Sequence, residues 1–238
     1  MKIKNKNFII VGISGGVDSI TTAKILKKIG YNVVCVFLNL IFKNEINKGI
    51  ESSKCCSFFD YKNSYEFCKA NNIAFFSLSV VYEFNYKIFY KYIDFNCLSL
   101  NSTPCINCNS DIKIKYLKFI SDLFLCNFTT GHYSYLKYYN CYLSLVCSFD
   151  KDKDQGYFLY NSSDYFLFFF LPLNNVFKKE VREIAEKESL VVYNKRDSNE
   201  ICFVYDEYWN LIFNKYGTFF SGFFLDENYN KLGSHFGI

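Results

Sequence analysis

The six residues Ser14-Gly15-Gly16-Val17-Asp18-Ser19 constrain this 238-residue chain more than any other stretch. They follow a short apolar run, residues 8–13, and precede a segment in which Val17, Ile20, Ile25, Leu26 and Ile29 recur at roughly helical spacing until Gly30 stops it. A buried strand, a glycine turn and a helix, in that order, aim backbone N–H groups and hydroxyls toward the positive end of the helix, a geometry that binds phosphate. Gly15 and Gly16 permit close backbone approach and positive φ, Ser14 and Ser19 can donate hydroxyl hydrogen bonds, and Asp18 can hold a magnesium ion that bridges phosphates. No lysine follows the glycines, so the Gly-x-x-x-x-Gly-Lys loop of phosphoryl-transferring NTPases is excluded.

Further along, residues 32–38 and 73–80 read as apolar strands and 56–71 and 83–95 as helices. Residues 101–109 read as a loop containing Pro104, 111–125 as a helix and 127–130 as a strand, followed by a loop with Gly131 and His132. Strands alternating with helices predict an α/β fold, a parallel sheet with helices on both faces in the Rossmann-like manner. After Tyr135 the character changes. Residues 138–146 alternate as in a hairpin, 178–188 read as a helix with Val181, Ile184 and Ala185 on one face, and turn signals near Asp226 and Gly233 point to two short strands. A boundary near Phe149 would separate a nucleotide-binding domain, 1–149, from a smaller mixed α+β segment, 150–238.

Disorder is excluded, because 28 Phe, 21 Tyr and 1 Trp stand in a chain that is 50% hydrophobic. The surplus residues (Phe, Tyr, Ile, Asn and Lys) share A/T-rich codons, so an exposed Phe signifies less here than usual. The longest strongly apolar run, 165–173, is about half a membrane span, and the Met-Lys-Ile-Lys-Asn-Lys start lacks a signal-peptide core. The expected location is the cytoplasm, with no membrane association. Eleven cysteines in that compartment read as reduced thiols, some of them reactive. A net charge of +4 permits nucleic-acid binding without demonstrating it.

Two cysteines stand out by their surroundings. Cys108, in Thr103-Pro104-Cys105-Ile106-Asn107-Cys108-Asn109, sits just before an expected helix, where a thiolate is favoured, and Cys202 follows Lys195 and Arg196, whose charge acts in the same direction. Together with the hexapeptide, five separated motifs occur in order: Pro-Cys-x-x-Cys-Asn, Thr-Gly-His-Tyr at 130–133, Lys-Asp-Gln at 153–155, Glu-Val-Arg-x-Ile-Ala at 180–185 and Asp-Ser-x-x-Ile-Cys-Phe at 197–203. In this the chain resembles the tRNA-specific 2-thiouridylases of bacteria and organelles, within the PP-loop ATP pyrophosphatases, from about Phe8 to its end.

The resemblance implies sulfur transfer to C2 of the wobble uridine, position 34, of tRNA, after ATP adenylates the C2 oxygen. It implies ATP binding by Gly12, Ile13, Ser14, Gly15, Gly16, Val17, Asp18, Ser19, Leu38 and Gly131, with Mg2+ carried through Asp18. Thr103, Pro104 and Cys105 align with the family's target-base contact, and His132, Lys153, Asp154 and Gln155 with its tRNA contacts. Cys202 aligns with the cysteine that carries a persulfide from a sulfur donor, a cysteine desulfurase or a relay protein, and Cys108 with its partner, which closes a disulfide that a reductant resets.

Three positions depart from the common pattern, namely Thr103 for Asn, Gly156 for Ser and Asn174 for Gly. The family's C-terminal β-barrel is expected to be absent, since the chain ends at Ile238. Three alternatives stay open: a [4Fe-4S] cluster on Cys105, Cys108 and Cys202, a catalytically decayed tRNA-binding remnant, and a PP-loop enzyme adenylating a small molecule. Zinc at Cys55 or Cys56 with Cys105 and Cys108 is disfavoured by spacing. A calcium loop at 150–154 is rejected, because Gly156 falls one place late and Asn161 replaces the bidentate glutamate.

Overall fold

The computed structural model describes residues 7–40, 57–97, 100, 102–197, 201–203 and 220–235. In chain order its strands are β1 (Phe8–Gly12), β2 (Asn32–Asn39), β3 (Ala74–Ser79), β4 (Asn127–Thr130), β5 (Tyr135–Tyr139), β6 (Tyr142–Val146), β7 (Phe169–Phe170), β8 (Gly222–Leu225) and β9 (Lys231–His235). Five form one sheet in the order β3-β2-β1-β4-β7, all neighbours parallel, while β5 pairs with β6 and β8 with β9 as antiparallel hairpins. Together these confirm the expected parallel α/β sheet with smaller antiparallel pieces after it.

The central strands are apolar almost throughout because both faces of the sheet are covered. Ile10, Val34, Val36 and Phe128 enter one layer with Phe84, Ile88, Ile112 and Leu117 of the helical runs 81–97 and 104–123. Ile9, Val11, Val33, Cys35 and Phe37 enter the other, against Ile20 and Leu26 of the Val17–Lys28 helix, Cys68 of the Phe58–Ala70 helix and Ala185 of the Lys178–Lys187 helix. The period-2 alternation of the strands thus divides two cores.

One local expectation changes, and two features add to the others. Residues 101–109 are not a loop throughout: Pro104 opens a helix that runs through a wide-turn stretch, Cys108–Ile114, and on to Leu123. Proline is well suited to a first helical position, where its missing N–H would have had no partner and its φ is already helical. The run 81–97 likewise widens at Asn85–Phe89. The apolar run 165–173 supplies β7, and Phe169 stacks on Phe128 of β4 at 4.9 Å, so the sheet takes its fifth strand from beyond Phe149. Cys55, Cys56 and the middle of the 197–203 motif, Ser198 to Glu200, lie outside the described residues. Among the described residues no helix is long and apolar enough to cross a membrane.

The strand order fixes where a ligand can go. The chain moves outward from β1 to β2 and β3, then returns to place β4 on the other side of β1. A reversal of this kind opens a crevice beyond the carboxyl ends of β1 and β4.

Candidate active site

The loop leaving β1 is preorganised by its own side chains. The Ser14 N–H donates to Ser19 Oγ at 3.1 Å, the Ser19 hydroxyl donates to the Gly16 carbonyl at 3.1 Å, and the Ser14 and Ser19 hydroxyl oxygens lie 3.2 Å apart. No side chain caps the Val17–Lys28 helix, so the N–H groups of its first turn face the loop without a side-chain acceptor. Gly15 has φ +74°, and a β-carbon there would lie 2.5 Å from Asp60 Cα and from its carbonyl oxygen. Asp60 is itself fixed, because it completes a capping box with Ser57 and forms an ion pair with Lys195, whose ammonium also donates to the Gly15 carbonyl at 3.1 Å. Gly15→Ala therefore meets a left-handed backbone and a backbone collision together. It is expected to cost about 2–4 kcal/mol, and a thermal melt of the variant against wild type checks this.

Beyond the ends of β1 and β4 lies a cavity of about 220 Å³. Gly12, Ile13, Ser14, Asp18 and Ser19 line it from the loop, and Val36, Leu38 and Leu40 from β2 and its exit. Thr130, Gly131 and His132 contribute from the end of β4, Lys113 and Leu117 from the 104–123 run, and Gln155 from the segment after the β5–β6 hairpin. Gly131 is needed here, since a β-carbon on it would stand 2.7 Å from the Ser19 nitrogen. Gln155 is pinned twice to Tyr133: its N–H donates to the Tyr133 carbonyl at 2.7 Å, and its Oε1 accepts from the Tyr133 N–H at 3.0 Å. His132 Nδ1 lies 2.7 Å from Thr130 Oγ1. Burial first, and then the positive charge of Lys113, bring its pKa down to about 3, so the ring is neutral at ordinary pH.

Asp18 does not stand alone. Both its carboxylate oxygens accept from the Lys178 ammonium at 2.7 Å, and one accepts from the Tyr133 hydroxyl at 2.8 Å. Lys178 also reaches Asp197 at 2.8 Å, which in turn pairs with Lys153 and Arg182, each at 2.9 Å. Burial opposes the charge on Asp197, yet hydrogen bonds from Lys178 and Lys153 bring its pKa down to about 2. Burial, and next the Asp18 carboxylate, push the Tyr133 phenol well above its usual range, so it remains a donor.

The two singled-out cysteines lie on one core layer although 94 positions separate them in the sequence. Cys108 is buried in that layer at 4% exposure, and half-buried Cys202 packs against it. Phe203 anchors the Cys202 segment by edge contacts with the rings of Phe84, Phe89 and Tyr92. Among the described residues, no group of three or more His, Cys, Asp or Glu is placed to hold a metal ion.

Of the other expected site residues, Gly15, Gly16 and Val17 form the loop behind the cavity wall, and Thr103, Pro104 and Cys105 open the 104–123 run. Lys153 faces Asp197. The Asp154 carboxylate accepts from the N–H groups of Ser148 at 2.6 Å and Gly156 at 3.1 Å, closing a turn. Lys113, Tyr133 and Lys178 were not singled out from sequence. Tyr133 lay within a recognised motif. Lys178 carried a signal of its own, a lysine at the positively polarised start of a helix.

Residues 7–206 match the sequence family described as tRNA methyl transferase HUP domain. The chain is 33% identical over 237 residues to a tRNA-specific 2-thiouridylase MnmA of Clostridium botulinum, covering 98% of this chain and 65% of that protein. It is 31% identical over 240 residues to one from Staphylococcus aureus, covering 99% and 63%. The chain thus spans just under two thirds of the length of these curated relatives. Among solved structures, the U34-tRNA thiolase NcsA from Methanococcus maripaludis with its [4Fe-4S] cluster superposes with a TM-score of 0.50 at 17% identity, covering 90% of this chain and 68% of that one. The glutamine-dependent NAD+ synthetase of Acinetobacter baumannii gives 0.51 at 16% identity, covering 77% and 29%. At such identities the likeness concerns the fold.

Proposed function

This chain belongs to the tRNA methyl transferase HUP-domain family, and from that premise we propose that it catalyses ATP-dependent 2-thiolation of the wobble uridine of tRNA. One observation carries the reading: a single helical run bears Cys108 in the core layer shared with Cys202 and, five and nine residues on, Lys113 and Leu117 in the wall of the phosphate-loop cavity. Adenylation and sulfur transfer need a phosphate site and a cysteine pair carried on one framework. Methyl transfer needs neither an α-phosphate site nor a second cysteine.

ATP would bind with its phosphates on Ser14, Gly15, Gly16 and Ser19 and the first-turn N–H groups, and with its nucleoside along Leu38 and Gly131. The uridine C2 oxygen forms a bond to the α-phosphorus while the bond to pyrophosphate breaks. The C2 oxygen can then leave as part of AMP, a far better leaving group than an amide-like oxygen. The outer sulfur of a Cys202 persulfide attacks C2 and AMP departs. Cys108 as thiolate then attacks Cys202 Sγ, closing a disulfide and releasing the thiouridine, and a dithiol reductant returns two electrons to the pair. The sulfur comes from a cysteine desulfurase or a relay protein.

Thr103, Pro104 and Cys105 would meet the target base, and His132, Lys153, Asp154 and Gln155 the tRNA. A neutral His132 suits hydrogen bonding to a base or ribose better than phosphate pairing. Asp18 is a single carboxylate, which fits Mg2+ only where phosphate oxygens complete the coordination and Lys178 yields an oxygen. Bound there, magnesium would neutralise phosphate charge. Among the described residues the cysteines present no three-ligand group, so their placement does not fit an iron–sulfur cluster. Cys35 of β2 and Cys68 of the Phe58–Ala70 helix, both fully buried as free thiols in one core layer, suit a reducing compartment and so the cytoplasm.

Mass spectrometry of tRNA position 34 after incubation with the protein, ATP, magnesium and a persulfide donor tests the proposal. The expected product is 2-thiouridine, formed with one AMP per sulfur. AMP formation that is indifferent to tRNA would point instead to adenylation of a small molecule.

A further inference from the structure

We infer that Lys113 contacts substrate in this cavity, with its ammonium on the α-phosphate of ATP, where it balances the charge that builds as the uridine oxygen attacks. The inference rests on the ATP reading above and adds a residue to it. Lys113 and Leu117 are four apart on one helical face. Leu117 is pressed against the end of β1: its Cδ1 lies 2.5 Å from where a β-carbon on Gly12 would stand. That contact directs the same face toward the crevice, and both side chains line the cavity. Lys113 is half-buried between Ile112 and Ile114, each at 0% exposure, so the backbone that carries it cannot turn away without moving the core. It also sits in the wide-turn stretch Cys108–Ile114, a helical irregularity often found at functional sites.

Charge accounting points the same way. With His132 neutral, Asp18 and Lys113 are the charged side chains among those lining the cavity. Lys113 is the cationic side chain among those lining the cavity, and together with the first-turn N–H groups of the Val17–Lys28 helix it suits a polyanion. In adenylation the new bond from the uridine oxygen to the α-phosphorus forms as the bond to pyrophosphate breaks, with pyrophosphate taking the electron pair. A fixed ammonium at the phosphate stabilises that redistribution of charge.

Titration calorimetry with Mg-ATP and, separately, with adenosine tests the assignment on wild type, Lys113→Met and Lys113→Arg. Methionine keeps the length and the apolar stem of lysine. It is expected to weaken ATP binding about tenfold or more, the usual worth of a hydrogen bond to a charged group, while adenosine affinity stays unchanged and arginine restores most of the ATP affinity. Equal losses for ATP and adenosine would mean that Lys113 only shapes the cavity, and unchanged ATP affinity in Lys113→Met would mean that it touches no phosphate. Either result overturns the inference while the ATP reading stands. A wild-type protein that binds no ATP overturns both.

Discussion

Cys202→Ser is expected to abolish thiolation and to remove the protein-bound, reducible sulfane sulfur, whereas Cys108→Ser is expected to abolish thiolation while leaving that sulfur in place. Both losses should be on the order of 10³-fold or more, since in the proposed reaction each cysteine makes or breaks a sulfur bond for which an alcohol has no substitute. The contrast between the variants separates their roles. Cys202 is half-buried against the core layer and Cys108 is enclosed at 4% exposure, the contrast expected of a cysteine that receives sulfur and one that attacks a sulfur already delivered. Cyanolysis of the sulfane sulfur, with peptide mapping of the persulfide, reads the difference. A persulfide that survives in Cys202→Ser and maps to Cys108 would reverse the assignment. Because serine leaves a buried hydroxyl at position 108, Cys108→Ala is the companion variant. It should behave identically in the assay and differ only in stability.

The loop and the sheet were legible because local and global signals agree there. Val33 to Leu38 is apolar at every position, as a strand covered on both faces must be, and the glycines sit where the fold needs positive φ at Gly15 and a close backbone neighbour at Gly131. The helix starting at Pro104 was harder to read. Pro104 and the polar residues around it look like loop punctuation, and only its placement at the first helical position makes it a start. Two-residue β7 was hidden for a different reason. Phe169 and Phe170 belong to an apolar run whose periodicity cannot tell strand from helix, and their role is set by stacking against Phe128 of a strand about 40 residues earlier. The cavity-lining lysine was hidden because residues 112–114 read as an ordinary stretch of amphipathic helix, and only the fold shows which face turns to the crevice. Lys178 breaks a local rule, a cation at a helix N-terminus, and such breaks occur where tertiary partners outweigh local preference.

Those partners make Lys178→Met the substitution expected to cost most stability among the charged residues. Lys178 is 9% exposed, bridges Asp18 and Asp197, and its backbone N–H donates to Asp150 Oδ2 at 2.8 Å. Methionine fills the same volume but leaves two carboxylates facing one another without the cation between them. The expected loss is about 3 kcal/mol, on the order of 6–12 °C in Tm for a chain of this length. Asp18→Asn should cost less alone, because Lys178 keeps Asp197. In the double variant the two losses should sum to less than their separate values, since the second change removes a group the first has already left unpaired. The acid limb supplies an independent check. Asp197 has a depressed folded-state pKa, so its contribution is present above its unfolded value of about 3.9 and is lost as pH falls toward about 2. With Lys178 gone, the Asp197 pKa rises and this contribution shrinks, so the Tm of the variant should fall less steeply between about pH 4 and pH 2 than that of wild type. Parallel acid limbs in the two proteins, or an additive double variant, would mean that Lys178 does not couple the phosphate loop to the Asp197 segment.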